Sequence, residues 1–230
     1  LNAIGSLQWT TNGIPVCVAS GDQGSPQLVS DGSGGAIVAW RVGMSGYSDI
    51  YTQRINTSGS RQWIINGVAV CTANSSQDSQ RLISDGSGGA IVIWEDFRTG
   101  NWDIYAQRIN VNGSPQWTTN GLPICAASGD QAVPELVSDD SGGAIVVWQD
   151  SRNGDYDIYV QYFKEIPIPI VSNVTPNIGS IFNNTTVTIF GTGFYGGGIS
   201  PDVSSVKLDD GANTALIVLG VSADSSLTAV

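Results

Sequence analysis

The chain repeats itself at a fixed period of 54 residues, so that Trp9, Trp63 and Trp117 stand in register with Cys17, Cys71 and Cys125 and with Trp40, Trp94 and Trp148. A unit of that size has too little apolar surface to hold a core alone, so neighbouring units must stack and share one. Function is then expected on a surface built by several repeats.

Each unit contains four stretches with strand chemistry, which in the second fall at 81–84, 90–95, 103–110 and 116–126. Asp85-Gly86-Ser87-Gly88-Gly89 joins the first two, and the same kind of run recurs at 31–35 and 139–143. There Asp closes an Asx-turn and Gly supplies positive φ, the chemistry of a tight hairpin. No segment has a convincing helical period. Along the third strand Tyr105, Gln107 and Ile109 share one face while Ile104, Ala106 and Arg108 share the other, so both faces carry apolar groups and both are expected to be covered. The expected fold class is therefore all-β: a four-stranded antiparallel sheet flanked by copies of itself is a propeller blade, and blades run to about 40–50 residues. A β-solenoid or three separate hairpin domains are the other arrangements such a pattern allows.

The run Asp150-Ser151-Arg152-Asn153-Gly154-Asp155-Tyr156-Asp157-Ile158-Tyr159, with its counterpart at 96–105, resembles the Asp-x-Arg-x-Gly-x-x-Asp-Ile-Tyr segment of bacterial propeller repeats related to those of the Tol-Pal periplasmic protein. The resemblance covers about residues 1–163 and implies a propeller scaffold without one fixed activity. The first repeat departs from it, with Val42 and Met44 where the others have Asp96 and Arg98 or Asp150 and Arg152. A unit lacking these residues favours a turn-pinning role for them over a catalytic one. The sequence also opens in the phase of a fourth strand, and the third unit stops after its third. Three origins fit that phase: a fragment of a longer array, completion by a second chain, for example two chains giving six blades, or a compact three-unit ring.

After the repeats, Ile166-Pro167-Ile168-Pro169-Ile170 has the stiffness of a Pro-rich connector, which divides the chain into a repeat domain at 1–164 and a second domain at 165–230. Its elements Val174-Thr175-Pro176-Asn177-Ile178-Gly179 and Thr186-Val187-Thr188-Ile189-Phe190-Gly191-Thr192-Gly193-Phe194 resemble the opening half of an IPT/TIG domain. That resemblance implies an immunoglobulin-like β-sandwich, here short of its last strands, used as a spacer or adhesive module.

Among the 230 residues, 20 acidic side chains face 9 basic ones, with no His and only Lys164 and Lys207 as lysines. That balance offers no cationic track for a nucleic-acid backbone, and no apolar run is long enough to span a bilayer. Nucleic acid and a membrane span are accordingly excluded as expectations. A polar, acidic, lysine-poor surface is in keeping with a place outside the cell or on its surface. Met44 is the only methionine, so any export signal lies outside these residues, and six Asn-X-Ser/Thr sequons at Asn56, Asn74, Asn112, Asn173, Asn183 and Asn184 carry little weight in so polar a chain.

Catalysis by Ser-His or Cys-His pairs has no histidine to work with. The carboxylate pairs Asp96 with Asp103 and Asp150 with Asp157 belong to a repeating turn, and the three cysteines occupy one place per repeat, as small buried hydrophobes do. Asp139-Asp140 and Asp209-Asp210 lack the spaced oxygens of a calcium loop. The expectation is a non-enzyme with no cofactor and no metal, a structural or adhesion protein that self-associates as a homo-oligomer or filament or binds other surface proteins. The alternatives are a carbohydrate-binding propeller and an accessory region of a larger secreted enzyme. For glycan contact the candidates are Tyr47, Trp102 and Tyr156, aromatic residues beside turns whose rings can stack on pyranose faces.

Overall fold

The structure is a computed structural model that describes residues 5–44 and 47–164 and, beyond them, six strands within 170–229. The chain divides into two compact units, Leu1–Lys164 and Glu165–Val230.

In the first unit each repeat folds as an antiparallel meander. Strands β1 (Asp22–Ser30), β2 (Ala36–Met44), β3 (Tyr47–Ile55) and β4 (Val68–Cys71) form one sheet in that order. The second sheet is β5 (Gln77–Ser84), β6 (Ala90–Asp96), β7 (Asp103–Ile109) and β8 (Leu122–Cys125), again in sequence order. The third, among the described residues, has β9 (Gln131–Ser138), β10 (Gly143–Asp150) and β11 (Asp157–Lys164).

The hairpin joining the first two strands of each sheet is built as the Asp-Gly-rich run predicts. Asp85 Oδ1 accepts from the backbone N–H groups of Ser87 and Gly89, both at 2.8 Å, and Arg108 Nε closes on its Oδ2 at 3.0 Å. Gly89 has to be glycine, because a Cβ there would run into the Ile109 carbonyl oxygen.

The fourth strand is shorter than expected. Of the stretch 116–126 only Leu122–Cys125 pairs as a strand, preceded by an isolated bridge between Ile109 and Pro115. The Gln107 side chain takes over the ladder between them: its Oε1 accepts from Trp117 N at 2.9 Å and its Nε2 donates to Thr118 O at 2.9 Å. Gln53 makes the same pair of bonds to Trp63 N at 2.9 Å and Ile64 O at 2.8 Å. The first strand of each unit is longer than expected, extended through a bulge whose central residue has positive φ at Ser25, Ser79 and Val133.

The core lies between sheets. Val92, Trp94, Tyr105 and Ile109 of the second sheet pack against Ile50, Val70 and Cys71 of the first. On its other face Ile93, Ile104 and Ala106 pack against Val146 and Trp148 of the third. The middle sheet is thus covered on both sides by its sister sheets, along the two faces the sequence alternation separates.

In the second unit β12 (Ile170–Thr175), β13 (Val187–Thr192), β17 (Ser226–Ala229) and β16 (Val218–Ser222) form an antiparallel sheet in that order, and β14 (Val206–Lys207) pairs with β15 (Ala215–Leu216). The Pro-rich connector at 166–169, the segment 176–186 and Asp209-Asp210 lie outside the described residues. No helix among the described residues is long and apolar enough to cross a membrane.

Candidate functional site

The densest polar chemistry gathers where one sheet meets the next. Asp96, at the end of β6, accepts at Oδ1 from Arg98 N at 3.0 Å and Arg98 Nε at 2.8 Å, and at Oδ2 from Trp94 Nε1 at 2.8 Å. Arg98 Nη2 also reaches Asn120 O at 2.8 Å and, from the first sheet, Cys71 Sγ at 3.2 Å, while its guanidinium lies 4.0 Å above the centre of the Tyr105 ring. The third sheet repeats the pattern: Asp150 accepts from Trp148 Nε1 at 2.8 Å and Arg152 Nε at 2.9 Å, and Arg152 Nη2 reaches Cys125 Sγ of the second sheet at 3.1 Å.

The electrostatics are those of a clasp. The hydrogen bonds from Arg152, ahead of burial, which acts the other way, hold the Asp150 carboxyl well below the usual carboxylate range. Burial pushes the Cys71 thiol up to about 12, so it stays protonated and unreactive near neutral pH. Burial opposes the charge of Arg98, but its bonds to Asp96 outweigh that and raise its pKa. The expectation of small buried hydrophobes holds for Cys71, whereas Cys17 and Cys125 are half-buried, and Cys71 and Cys125 serve in addition as acceptors that tie an arginine across a joint.

In the first repeat the clasp is absent. Val42 stands in place of the aspartate, and the buried Trp40 indole N–H is left without an acceptor. Sequence pattern alone located this departure, but not the orphaned donor it creates.

The proposed carboxylate pairs are cross-strand neighbours, Asp96 opposite Asp103 and Asp150 opposite Asp157. In the first pair both carboxylates are engaged: Asp103 accepts from Thr99 Oγ1 at 2.6 Å and Asn101 Nδ2 at 2.9 Å, and burial, with Asp96 nearby, raises its pKa, whereas in the second pair Asp157 is exposed, with Asn153 Nδ2 at 3.4 Å. Asp139 is likewise used, by Ser141 N of its own turn at 2.8 Å and by Tyr162 Oη of β11 at 2.8 Å. Among the described residues no three acidic, cysteine or histidine side chains cluster around a common point.

The three aromatic candidates occupy different settings. Tyr47 and Tyr156 are 49% and 56% exposed. Trp102 is half-buried, its indole against Phe97 at 5.1 Å between ring centres. Its backbone N–H donates to Asp130 Oδ1 at 3.0 Å and its carbonyl accepts from Gln131 N at 2.6 Å, so it sits on the joint between the second and third sheets. Tyr156 is its period-54 counterpart, whereas Tyr47 is one residue out of register: Ser48 holds that place and donates through Oγ to Gln77 O at 2.8 Å.

Sequence reasoning passed over the glutamines. Gln77 and Gln131 are fully buried at the starts of β5 and β9 and donate to nearby loop carbonyls, including Ser75 O at 3.2 Å and Gly129 O at 3.1 Å. Their recurrence with Gln23 at the same period was a signal available in the sequence.

No curated protein and no solved structure gives a significant match to the chain. Residues 169–230, within the second unit, match the family model of the IPT/TIG domain, an immunoglobulin-like module.

Proposed function

We propose that residues 1–164 are propeller-type blades and that, with the IPT/TIG-like segment, they make a non-catalytic scaffold outside the cell or on its surface, working in adhesion or assembly. The observation that carries this proposal is where the polar chemistry is spent. The arginine, aspartate and cysteine side chains of the two clasps, Asp96, Arg98 and Cys71 and then Asp150, Arg152 and Cys125, bond one another across the joint between sheets, a use that is structural. The family match at 169–230 adds to it, since IPT/TIG domains are common in extracellular proteins that adhere or interact.

Location is tested on intact cells of the source with an antibody to the repeat unit. Access to the epitope, and its removal by a protease that cannot cross membranes, is the expected outcome; an epitope seen only after lysis contradicts the proposal. A glycan-binding scaffold is the second possibility, favoured by the exposure of Tyr47 and Tyr156. It predicts glycan-array signals that fall after Tyr156→Ala, and a blank array removes it.

A further inference from the structure

Residues 5–20 lie against the first sheet as if they belonged to a sheet stacked in front of it. Trp9 Nε1 donates to Thr57 O at 3.0 Å, as Trp63 Nε1 does to Val111 O at 3.0 Å one repeat later. Val18 N donates to Asn66 Oδ1 at 3.1 Å, as Thr72 N does to Asn120 Oδ1 at 3.0 Å. The turn before the missing strand is also formed: Gly13 N donates to Thr10 O at 3.0 Å, matching Gly67 to Ile64 at 3.0 Å and Gly121 to Thr118 at 2.9 Å. Yet Ile14-Pro15-Val16-Cys17, which corresponds to β4 and to β8, pairs with no strand among the described residues.

The third sheet shows the complementary gap. Among the described residues β11 has no neighbour on its outer edge. Ile158 and Val160 are 71% and 66% exposed, where their counterparts Ile104 and Ala106 are fully buried. Gln161, counterpart of Gln53 and Gln107, is exposed and among the described residues caps its own neighbour, Tyr162 N, at 3.1 Å. Glycine spacing agrees: a Cβ on Gly67 or Gly121 would strike the ring of Trp40 or Trp94, whereas Gly13, with the same left-handed backbone, meets nothing within 4 Å.

We propose that two copies of the chain associate head to tail, residues 9–17 of one copy completing the third sheet of the other. The pairing follows the register inside the chain, where Ile104 faces Cys125, Tyr105 faces Pro123 and Ala106 faces Leu122. Shifted by one repeat, Cys17 lies opposite Ile158, Pro15 opposite Tyr159 and Ile14 opposite Val160. Gln161 then receives Trp9 N and reaches Thr10 O, and Gly13 sits on the Trp148 ring. The contact continues the stacking interface already present twice within the chain, and it buries both exposed end faces, that of Leu28 on the first sheet and that of Ile158 and Val160 on the third. The pairing is heterologous, so reciprocal exchange between two copies closes six sheets, within the range of known propellers. It rests on the stacked-blade proposal above and specifies the partner.

The test uses the full chain carrying Ile158→Cys, oxidised mildly at low concentration. Directly opposed cross-strand residues lie within disulfide reach. The expected product is a disulfide between two chains that disappears in Ile158→Cys/Cys17→Ser, together with a wild-type mass by light scattering above that of one chain. Val160→Arg, at a surface position, is expected to weaken association at least about tenfold, since it buries an unpaired charge in the contact, and to leave the melting temperature of the single chain unchanged. A single-chain mass with no link, or a link formed within one chain, overturns the proposal. Hydrogen exchange on the same sample separates the two levels: slow exchange in β6 and β7 of a single chain means that only the end-to-end contact has failed, and fast exchange there means that the stacked-blade proposal has failed with it.

Discussion

The second and third sheets are built from almost the same residues and live in different surroundings. Ile91, Ile104 and Ala106 of the second are buried, and their counterparts Ile145, Ile158 and Val160 of the third are exposed. Nothing within a single repeat accounts for that difference. What differs is the neighbour: the second sheet has a sister on each face, and the third has one on a single face. Burial in a stacked array is thus a property of position, and the stability of each unit is shared with those beside it.

The largest test of that comparison deletes matched side chains. Ile104→Ala is expected to cost about 3 kcal/mol by leaving a cavity between the second and third sheets, and Ile158→Ala less than about 0.5 kcal/mol in the single chain. Denaturant unfolding of both variants measures the contrast, and equal losses would break it.

Next come the clasps. Asp96→Ala removes the acceptor of both Trp94 and Arg98, and because Arg98 keeps some access to water the expected loss is about 2–3 kcal/mol, below the full penalty of a sealed charge. In the third sheet the sign with pH is fixed by the depressed Asp150 carboxyl. Its folded value lies below its unfolded value, so its contribution is complete above about pH 4 and is lost as the pH falls towards the folded value. Asp150→Asn is therefore expected to melt at lower temperature at pH 7, and the gap to wild type should narrow on acidification.

A smaller effect sharpens the contrast between the first repeat and the others. Val42→Asp with Met44→Arg gives Trp40 the acceptor its counterparts have, and a gain of about 1 kcal/mol is expected, whereas Val42→Asp alone buries an unpaired charge and lowers the melting temperature. The smallest concerns Val133, a β-branched residue at φ 53 where the other repeats carry Ser25 and Ser79. Val133→Gly relieves that backbone and should raise stability by somewhat under about 1 kcal/mol, read from the unfolding midpoint.

Much of the fold was legible because it depends on residues close in sequence. The period, the hairpin run at 85–89 and the alternation of 104–109 over two faces all act within one unit, and the sheets follow them. The length of the fourth strand was not, because strand propensity says nothing of a side chain such as Gln107 that replaces the ladder. The setting of Trp102 was not legible for a related reason: it stands beside a turn in its own repeat, and the partners of its backbone, Asp130 and Gln131, come from the next one. The clasp was half legible. Asp96 and Arg98 declare themselves by recurrence, while Cys71 enters only through the stacking of one sheet on another.

Amide hydrogen exchange of the Val160→Arg chain, diluted until light scattering gives the mass of a single chain, tests the central claim most directly. If sister sheets keep the middle one dry, β6 and β7 exchange only with global unfolding and β11 exchanges at least tenfold faster. Equal protection in all three sheets, or separate unfolding of each, would contradict it.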